Sequence, residues 1–257
     1  MLRIAYLKGM SVVALLCITI SAITLAINFT PAHATEPRLP ASEHGEQWIG
    51  LAATKESFYA YSGVTYAPFD VIQNPGFRLR VAGGYGQYYY DSTLSVDFEN
   101  VGVRFLGETG ALEALIGYQF RIDEWTGKLF AGVERQEHRV QPLDPGNPVN
   151  GARFGGKIVS ENWLNIGEHA FASFDVNYAT GFKSYGVELK TAYNIYGPLH
   201  LGAIVGAFGN DTYDGKRAGL LLRYKDDVRE ILLTGGVSGD YDDASNPFAS
   251  ITYLSPF

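Results

Sequence analysis

Apolar and polar residues alternate with a period of two along most of the chain after residue 56. The segment 184–195, SYGVELKTAYNI, illustrates the pattern. Its apolar set is Tyr185, Val187, Leu189, Tyr193 and Ile195, and its polar set includes Ser184, Gly186, Glu188, Lys190 and Asn194. Because side chains alternate across a β-strand, this pattern predicts a strand with one apolar and one charged face.

The same pattern recurs often enough to predict about twelve strands, within a range of 10 to 14. Clear examples are GFRLRVAGGYGQYYY, ALEALIGYQFR, FASFDVNY, KRAGLLLRYK and REILLTGGVSGDY. Turn sequences separate the segments: ETG, GFK, YGP, KDD and the longer QPLDPGNPVNG, GNDTYDG and DYDDASNP. The stretch from Thr93 to Leu106 loses its alternation near Glu99 and Asn100, which predicts a β-bulge. Residues 47–54 are either a further strand or the start of the first.

Two all-β architectures bury or shield such an apolar face. A sandwich packs it between two sheets, whereas a transmembrane barrel turns it toward lipid and keeps charge in its lumen. The repeated segments are long enough for a tilted bilayer crossing, and sandwich strands are shorter. Tyr66, Tyr89, Tyr178 and Tyr241 lie near predicted strand ends, where a membrane barrel has its aromatic girdles. We therefore predict an all-β fold, a transmembrane antiparallel up-and-down β-barrel.

The first residues have the pattern of a secretory signal peptide. Arg3 and Lys8 precede an apolar run over 10–27, Pro31 follows, and Ala-His-Ala at 32–34 matches a cleavage site. The predicted organisation is a signal peptide over 1–34, a disordered lead-in over 35–46 and an outer-membrane β-barrel over 47–257. An uncleaved inner-membrane anchor is the alternative.

Charge and cysteine content narrow the classes of partner. The single cysteine, Cys17, lies in the apolar run, so the exported part contains no disulfide. Arg3 and Lys8 are the basic residues before position 35, so 18 of 20 basic residues remain against 27 acidic ones. The resulting net charge of −9 argues against nucleic acid or an anionic surface as partner.

The carboxy-terminal sequence ASITYLSPF alternates in the same way and ends on Phe257. Such an ending is similar to the sequence read by the barrel-assembly machinery of the outer membrane, although Ser255 and Pro256 depart from it. Chance termination on Phe is the alternative. With a periplasmic carboxy-terminus, the strand count places the three long loops outside and the short KDD and YGP turns inside, which is the usual asymmetry of these barrels.

The polar residues give little support for catalysis. His169 and Ser173 share a face but are roughly 13 Å apart along one strand, too far for a base to activate a nucleophile. His138 is the best candidate base, and a polar lumen residue is the alternative interpretation. The loop acids Asp211, Asp214, Asp240, Asp242 and Asp243 lack the spacing of a calcium loop. We therefore predict no catalytic, cofactor-binding or metal-binding residue.

The inward-facing positions are the best candidate for a functional surface. Planar polar side chains and aromatic rings suit a neutral sugar polymer, and the alternative is that the charges pair and fill the lumen. The candidate lumen residues are Arg78, Arg80, Tyr88, Tyr90, Glu113, Arg121, Glu134, His138, Arg153, Lys157, Glu161, Asp175, Glu188, Lys190, Arg217 and Arg223.

Several of these segments resemble, in order and spacing, a known family. GFRLRVAGGYGQYYYD, ALIGYQF, FAGVERQEH followed by PLDPGNPVNG, and GAFGNDTYDGKRAG are similar to the BcsS family of cellulose biosynthesis proteins. The resemblance runs from about Gly50 to Phe257. It implies an outer-membrane barrel in cellulose production and export, acting as a pore or a docking element, with no catalytic residues to carry over.

The implied partners are outer-membrane lipid, the barrel-assembly machinery, and cellulose with other components of its synthesis. The alternatives are an outer-membrane enzyme acting on lipid or polysaccharide, and a closed structural or adhesin-like barrel.

Overall fold

The computed structural model describes residues 43–96, 99–240 and 246–257, and within them the chain forms twelve β-strands. The predicted signal peptide, most of the lead-in and Tyr241 lie outside these residues. The strands are β1 Gly45–Thr54, β2 Ser57–Tyr66, β3 Gly76–Val96, β4 Glu99–Ile122, β5 Trp125–Gln141, β6 Gly151–Ile166, β7 Ala170–Ala179, β8 Ser184–Tyr196, β9 Leu199–Gly209, β10 Asp214–Lys225, β11 Glu230–Asp240 and β12 Asn246–Pro256.

Each strand pairs antiparallel with the next one along the chain, and β1 pairs with β12, so the sheet closes into a barrel. At the closure Gly45 and Phe257 exchange both backbone hydrogen bonds, at 3.0 and 2.9 Å. The predicted fold class is confirmed. No helix in the described residues is long and apolar enough to cross a membrane.

The outer surface carries the apolar half of the alternating pattern. Ile116 on β4, Val133 on β5 and Leu220 on β10 are 57, 60 and 66% exposed. Exposing such side chains to water is unfavourable, at roughly 25 cal/mol per Å² of apolar surface. The surface is therefore suited to the hydrocarbon of a bilayer, as expected for a transmembrane barrel.

Two local predictions between β3 and β4 are wrong. The described residues of the stretch from Thr93 to Leu106 pair without a bulge at Glu99 and Asn100, and they form the end of one strand and the start of the next, with Val96 paired to Glu99. The ETG sequence at 108–110 is not a turn but lies inside β4. The inward parity is even on β3 and odd on β4, and the pairing of Val96 with Glu99 gives this change without a bulge.

The longest strands carry a polar belt on their outer surface. β3, β4 and β5 contain 21, 24 and 17 residues. On this outer side the Glu108 carboxylate accepts hydrogen bonds from Tyr85 Oη at 2.8 Å and Gln87 Nε2 at 3.1 Å, and Arg139 is paired to Glu108 in register. Charged groups avoid hydrocarbon, so these strands extend beyond the apolar zone at one end of the barrel.

The barrel has two mouths. The terminal mouth is the opening at the start of β1 and the end of β12, where the connections 67–75, 123–124, 167–169, 197–198 and 226–229 also lie. The distal mouth is the opposite opening and includes the connections 142–150, 180–183 and 210–213. Strand β1 begins at Gly45, two residues before the predicted start of the barrel.

Candidate functional site: the barrel interior

All sixteen candidate lumen residues occupy inward-facing positions of their strands. The strand register sets this orientation, because it aligns the even positions of β3, β5, β8, β11 and β12 with the odd positions of β4, β6, β7 and β10. The lumen is narrow at these levels. A Cβ added to Gly84 would lie 2.3 Å from Tyr59 Oη, and one on Gly107 would lie 2.2 Å from Tyr88 Cζ. Glycine therefore leaves space for aromatic rings inside the barrel.

An ion pair crosses the lumen between β3 and β6, which are not neighbours in the sheet. The Arg80 guanidinium donates to both oxygens of Glu161, at 2.6 and 2.9 Å. The guanidinium carbon also lies 3.8 Å from the centroid of the Phe130 ring and 5.1 Å from that of Trp48. Bidentate pairing and stacking on aromatic faces both favour arginine over lysine at this position.

Lysines make two further links between strands. Lys157 Nζ lies 2.5 Å from Glu113 Oε2 and 2.5 Å from Glu134 Oε1, which joins β6 to β4 and β5. Lys128 Nζ on β5 lies 2.6 Å from Glu46 Oε1 on β1. The Lys157–Glu134 bond joins adjacent strands, whereas Lys157–Glu113 and Lys128–Glu46 join strands that are not neighbours and so reduce the space open along the axis.

A third charged group lies on β7, β8 and β10, beside the strand that carries Glu161. Lys190 Nζ lies 2.7 Å from Glu188 Oε1 and 3.0 Å from Asp175 Oδ2, and Arg217 pairs with the second oxygen of Glu188. Arg223 pairs with Glu230 at 2.6 Å. The predicted charges are therefore brought together as networks of opposite sign, which lowers the cost of keeping them in a confined space.

The distal half of the lumen contains the two predicted tyrosines. The Tyr90 ring stacks on Phe105, with centroids 5.1 Å apart, and on Tyr88 at 6.1 Å. The Tyr90 hydroxyl donates to Asp144 Oδ2 at 2.7 Å and accepts from Asn147 Nδ2 at 3.0 Å. Its hydroxyl thus binds the connection 142–150 while its ring stacks on neighbouring aromatic rings, so a sugar would have to displace protein to stack on Tyr90.

The connections at the distal mouth fold inward. Phe182 is fully buried, 4.9 Å from the His138 ring and 4.4 Å below the Arg153 guanidinium. Val149 is buried as well. Arg153 donates to the carbonyl oxygen of Gly181 at 3.2 Å. Phe182 and Val149, here called the distal apolar cluster, are therefore buried at the distal mouth, with polar contacts around Phe182.

The terminal mouth is covered on one side by the connection 67–75, here called the cover segment. Arg78 is fully buried, and its guanidinium donates to the carbonyl oxygens of Ile72, at 2.9 Å, and Asn74. Gln119 Nε2 lies 3.2 to 3.3 Å from the carbonyl oxygens of residues 72, 73 and 74. Two inward side chains thus hold the cover segment by its backbone against the β3–β4 wall.

The other side of the terminal mouth leaves a cavity of about 270 Å³. Strands β5 to β8 and β10 to β12 line it, with Trp163 and Phe171 prominent among the lining residues. Arg121, a candidate lumen residue, lies near this mouth, exposed, and donates to Thr126 Oγ1 at 3.3 Å.

Four residues of the interior were not among the predicted candidates: Gln119, Trp163, Phe171 and Phe182. The alternation that placed Lys157 and Glu161 inward also places Trp163 on the same face, so Trp163 could have been predicted from the sequence. Phe182 lies in a turn, where strand parity says nothing.

The described residues offer little for catalysis or metal binding. His138 Nε2 lies 3.4 Å from Thr109 Oγ1, and no described histidine is hydrogen-bonded to a serine. Asp211 pairs with Lys183 at 2.8 Å, and this hydrogen bond raises the pKa of the Lys183 ammonium. Asp214 accepts from Tyr185. No group of three or more potential metal ligands occurs in the described part of the chain, and Asp242 and Asp243 lie outside it.

Comparison with known proteins gives one family and several distant structures. The sequence profile of a family described as cellulose biosynthesis protein BcsS matches residues 47–250. No curated protein sequence matches significantly. The solved structures include a KdgM porin, with 8% identity, a TM-score of 0.49, and coverage of 82% of this chain and 99% of the porin.

Two further structures come from Escherichia coli. The transport unit of the autotransporter AIDA-I has 7% identity, a TM-score of 0.49, and coverage of 92% of this chain and 96% of that one. Outer membrane phospholipase A has 14% identity, a TM-score of 0.43, and coverage of 82% and 96%. The fold assignment therefore rests on the strand pairing of this chain itself.

Proposed function

Because the chain belongs to the BcsS family of cellulose biosynthesis proteins, we propose that it is an outer-membrane docking element for the cellulose-producing machinery. In this proposal the barrel is anchored in outer-membrane lipid and its terminal mouth faces the periplasm. It holds the growing polymer or its synthesis components at the inner surface of the membrane. The barrel is not itself an open conduit.

The observation that carries the proposal is the set of contacts across the lumen. Arg80 with Glu161, Lys128 with Glu46, and Lys157 with Glu113 join strands that are not adjacent. A glucan passing along the axis would have to separate these charges, and leaving a confined charge without its partner costs several kcal/mol. The distal apolar cluster is also buried at the distal mouth.

Orientation supports the docking role. A periplasmic carboxy-terminus places the cavity at the periplasmic surface, where components of cellulose synthesis are accessible. The connections that close the distal mouth then face the outside, as longer loops of these barrels usually do. The acidic balance of the exported chain disfavours nucleic acid as a partner.

Deletion of the gene tests the proposal in cells, with cellulose measured separately in the medium, at the cell surface and in the periplasm. A docking element predicts less cellulose in every fraction, because the machinery is no longer held at the outer membrane. Accumulation of cellulose in the periplasm would indicate that the barrel is the conduit. Unchanged cellulose in every fraction would contradict both roles and favour a closed structural barrel.

The last residue has a proposed role in assembly. Phe257 exchanges backbone hydrogen bonds with Gly45, and its side chain is half exposed on the barrel surface. We expect removal of Phe257 to lower the amount of barrel in the outer membrane and raise periplasmic degradation, because the assembly machinery loses its recognition residue. Phe257→Tyr is the matched control and should assemble normally. Normal assembly without Phe257 would contradict this role.

A further inference from the structure

The cavity at the terminal mouth offers a ligand about 270 Å³ of space inside the barrel. It is bounded inward by the charged groups around Glu161 and Lys190, and it reaches the strand ends at Thr126 and Glu230. The cover segment lies against the β3–β4 wall and leaves this side uncovered. A ligand can therefore enter from the terminal mouth without disturbing the ion pairs deeper in the lumen.

An aromatic pair forms part of the cavity wall. The Trp163 indole stacks on the Phe171 ring, with centroids 4.1 Å apart and planes inclined by 16°. Phe171 is buried, whereas Trp163 is only partly buried and lines the cavity. The Arg223 guanidinium carbon lies 4.8 Å from the Trp163 centroid and 4.9 Å from that of Phe171. The indole is thus fixed in place from two directions while part of it remains accessible.

Two polar atoms at the cavity lack a partner. Ser173 is 5% exposed, and its hydroxyl has no hydrogen-bond partner among the described residues. Arg223 is also 5% exposed; its Nη2 donates to Glu230, but its Nε–H is without a partner in the described chain. Buried polar groups are usually hydrogen-bonded, so both atoms are candidates for contact with a polar ligand in the cavity.

The charges of the lining indicate what kind of polar ligand fits. Among the described lining residues, the cations Lys128, Lys190 and Arg223 balance the anions Glu161, Asp175 and Glu230. A balanced lining selects against a strongly charged ligand of either sign. Carboxylates accept hydrogen bonds, ammonium and guanidinium groups donate them, and a sugar hydroxyl does both.

We propose that this cavity is a binding site for a neutral β-linked glucan segment, of mono- or disaccharide length within the pocket. One pyranose packs its apolar face against Trp163, and its hydroxyls bond to Ser173 and the surrounding charges. The volume lies just below the ~300–1,000 Å³ of drug-sized ligand sites, which limits the occupant to a short segment. The choice of glucan among neutral saccharides rests on the proposed function.

Titration of the purified barrel with cellobiose and cellotetraose tests the site. The detergent must lack a sugar headgroup, and calorimetry and tryptophan fluorescence are recorded together. We expect saturable binding to the folded protein and a fluorescence change. Trp163→Leu should abolish the fluorescence change and weaken binding roughly 2- to 12-fold, the equivalent of one aromatic stacking contact. Ser173→Ala should weaken binding by about the same factor through one lost hydrogen bond.

Trp125→Leu is the matched control. Trp125 packs on Phe120, outside the cavity lining, and its loss should leave the affinity unchanged. Faster migration of unboiled protein on a gel shows that each variant is folded. The proposal fails if neither cello-oligosaccharide binds saturably, if Trp163→Leu and Ser173→Ala both bind like the wild type, or if oligogalacturonate binds more tightly than cellotetraose. Because the assay uses purified protein, its failure is distinct from a failure of the cellular docking role.

Discussion

The two mouths of the barrel are covered by different kinds of contact. At the distal mouth, side chains such as Phe182 pack into an apolar cluster, and Tyr90 holds Asp144. At the terminal mouth, Arg78 and Gln119 hold the cover segment through backbone carbonyl oxygens. Buried apolar side chains thus characterise the distal mouth, whereas hydrogen bonds to backbone carbonyl oxygens hold the cover segment at the terminal mouth.

This difference has consequences for access. Phe182 is fully buried at the distal mouth, whereas the hydrogen-bonded cover segment occupies one side of the terminal mouth and leaves about 270 Å³ free on the other. The Arg80–Glu161 pair crosses the lumen and narrows the space between its two halves. The cavity therefore lies toward the terminal mouth, which suits the proposed docking role.

The largest loss of stability is expected from removing the Arg80–Glu161 ion pair, which crosses the lumen. Arg80→Met leaves Glu161 without its bidentate partner in a confined space and should lower the free energy of unfolding by about 3 kcal/mol. Urea unfolding in detergent, followed by tryptophan fluorescence, measures the change. Arg139→Met is the control, since its exposed pair with Glu137 on the outer belt is worth about 0–1 kcal/mol. An equal loss of stability in the two variants would contradict a special role for the Arg80–Glu161 pair inside the lumen.

An intermediate effect is expected at the terminal mouth. Arg78→Ala removes donors from the carbonyl oxygens of Ile72 and Asn74, and unsatisfied polar groups of this kind cost about 2 kcal/mol. The cover segment should also become sensitive to protease near Phe69, which is already exposed. Arg121→Ala, a change of the same type at an exposed inward position, should alter stability by less than about 0.5 kcal/mol. A cover segment that stays resistant in Arg78→Ala would show that other contacts hold it.

The smallest effect is expected at the distal mouth. Tyr90→Phe keeps the stacked ring and removes only the hydroxyl bonded to Asp144, so stability should fall by about 1 kcal/mol. Amide hydrogen exchange should increase in residues 142–150 and not in the cover segment. Tyr89→Phe changes a neighbouring outward-facing ring and should affect neither. Increased exchange at both mouths would show that the two coverings are coupled.

The sequence pattern predicted much of the strand arrangement of the barrel and few of the side-chain contacts inside its lumen. Alternation placed residues such as Arg80, Glu161 and Lys190 inward because strand parity depends on sequence alone. It misjudged the junction between β3 and β4, where the inward parity changes through the pairing of Val96 with Glu99 and not at a bulge. The partners of these charges depend on contacts between distant strands, such as β3 with β6, and on connections such as 67–75, for which alternation carries no information.

Planar-bilayer recording of the purified wild-type barrel tests the central claim most directly. The claim is that the lumen has no continuous path between its mouths, because the charged pairs and the distal apolar cluster block it. We expect a current indistinguishable from that of a blank bilayer. Insertion of the same purified protein into lipid vesicles is confirmed separately by protease protection. Stable ohmic steps from the wild-type protein, reduced by cellotetraose, would contradict the account and identify the barrel as a conduit.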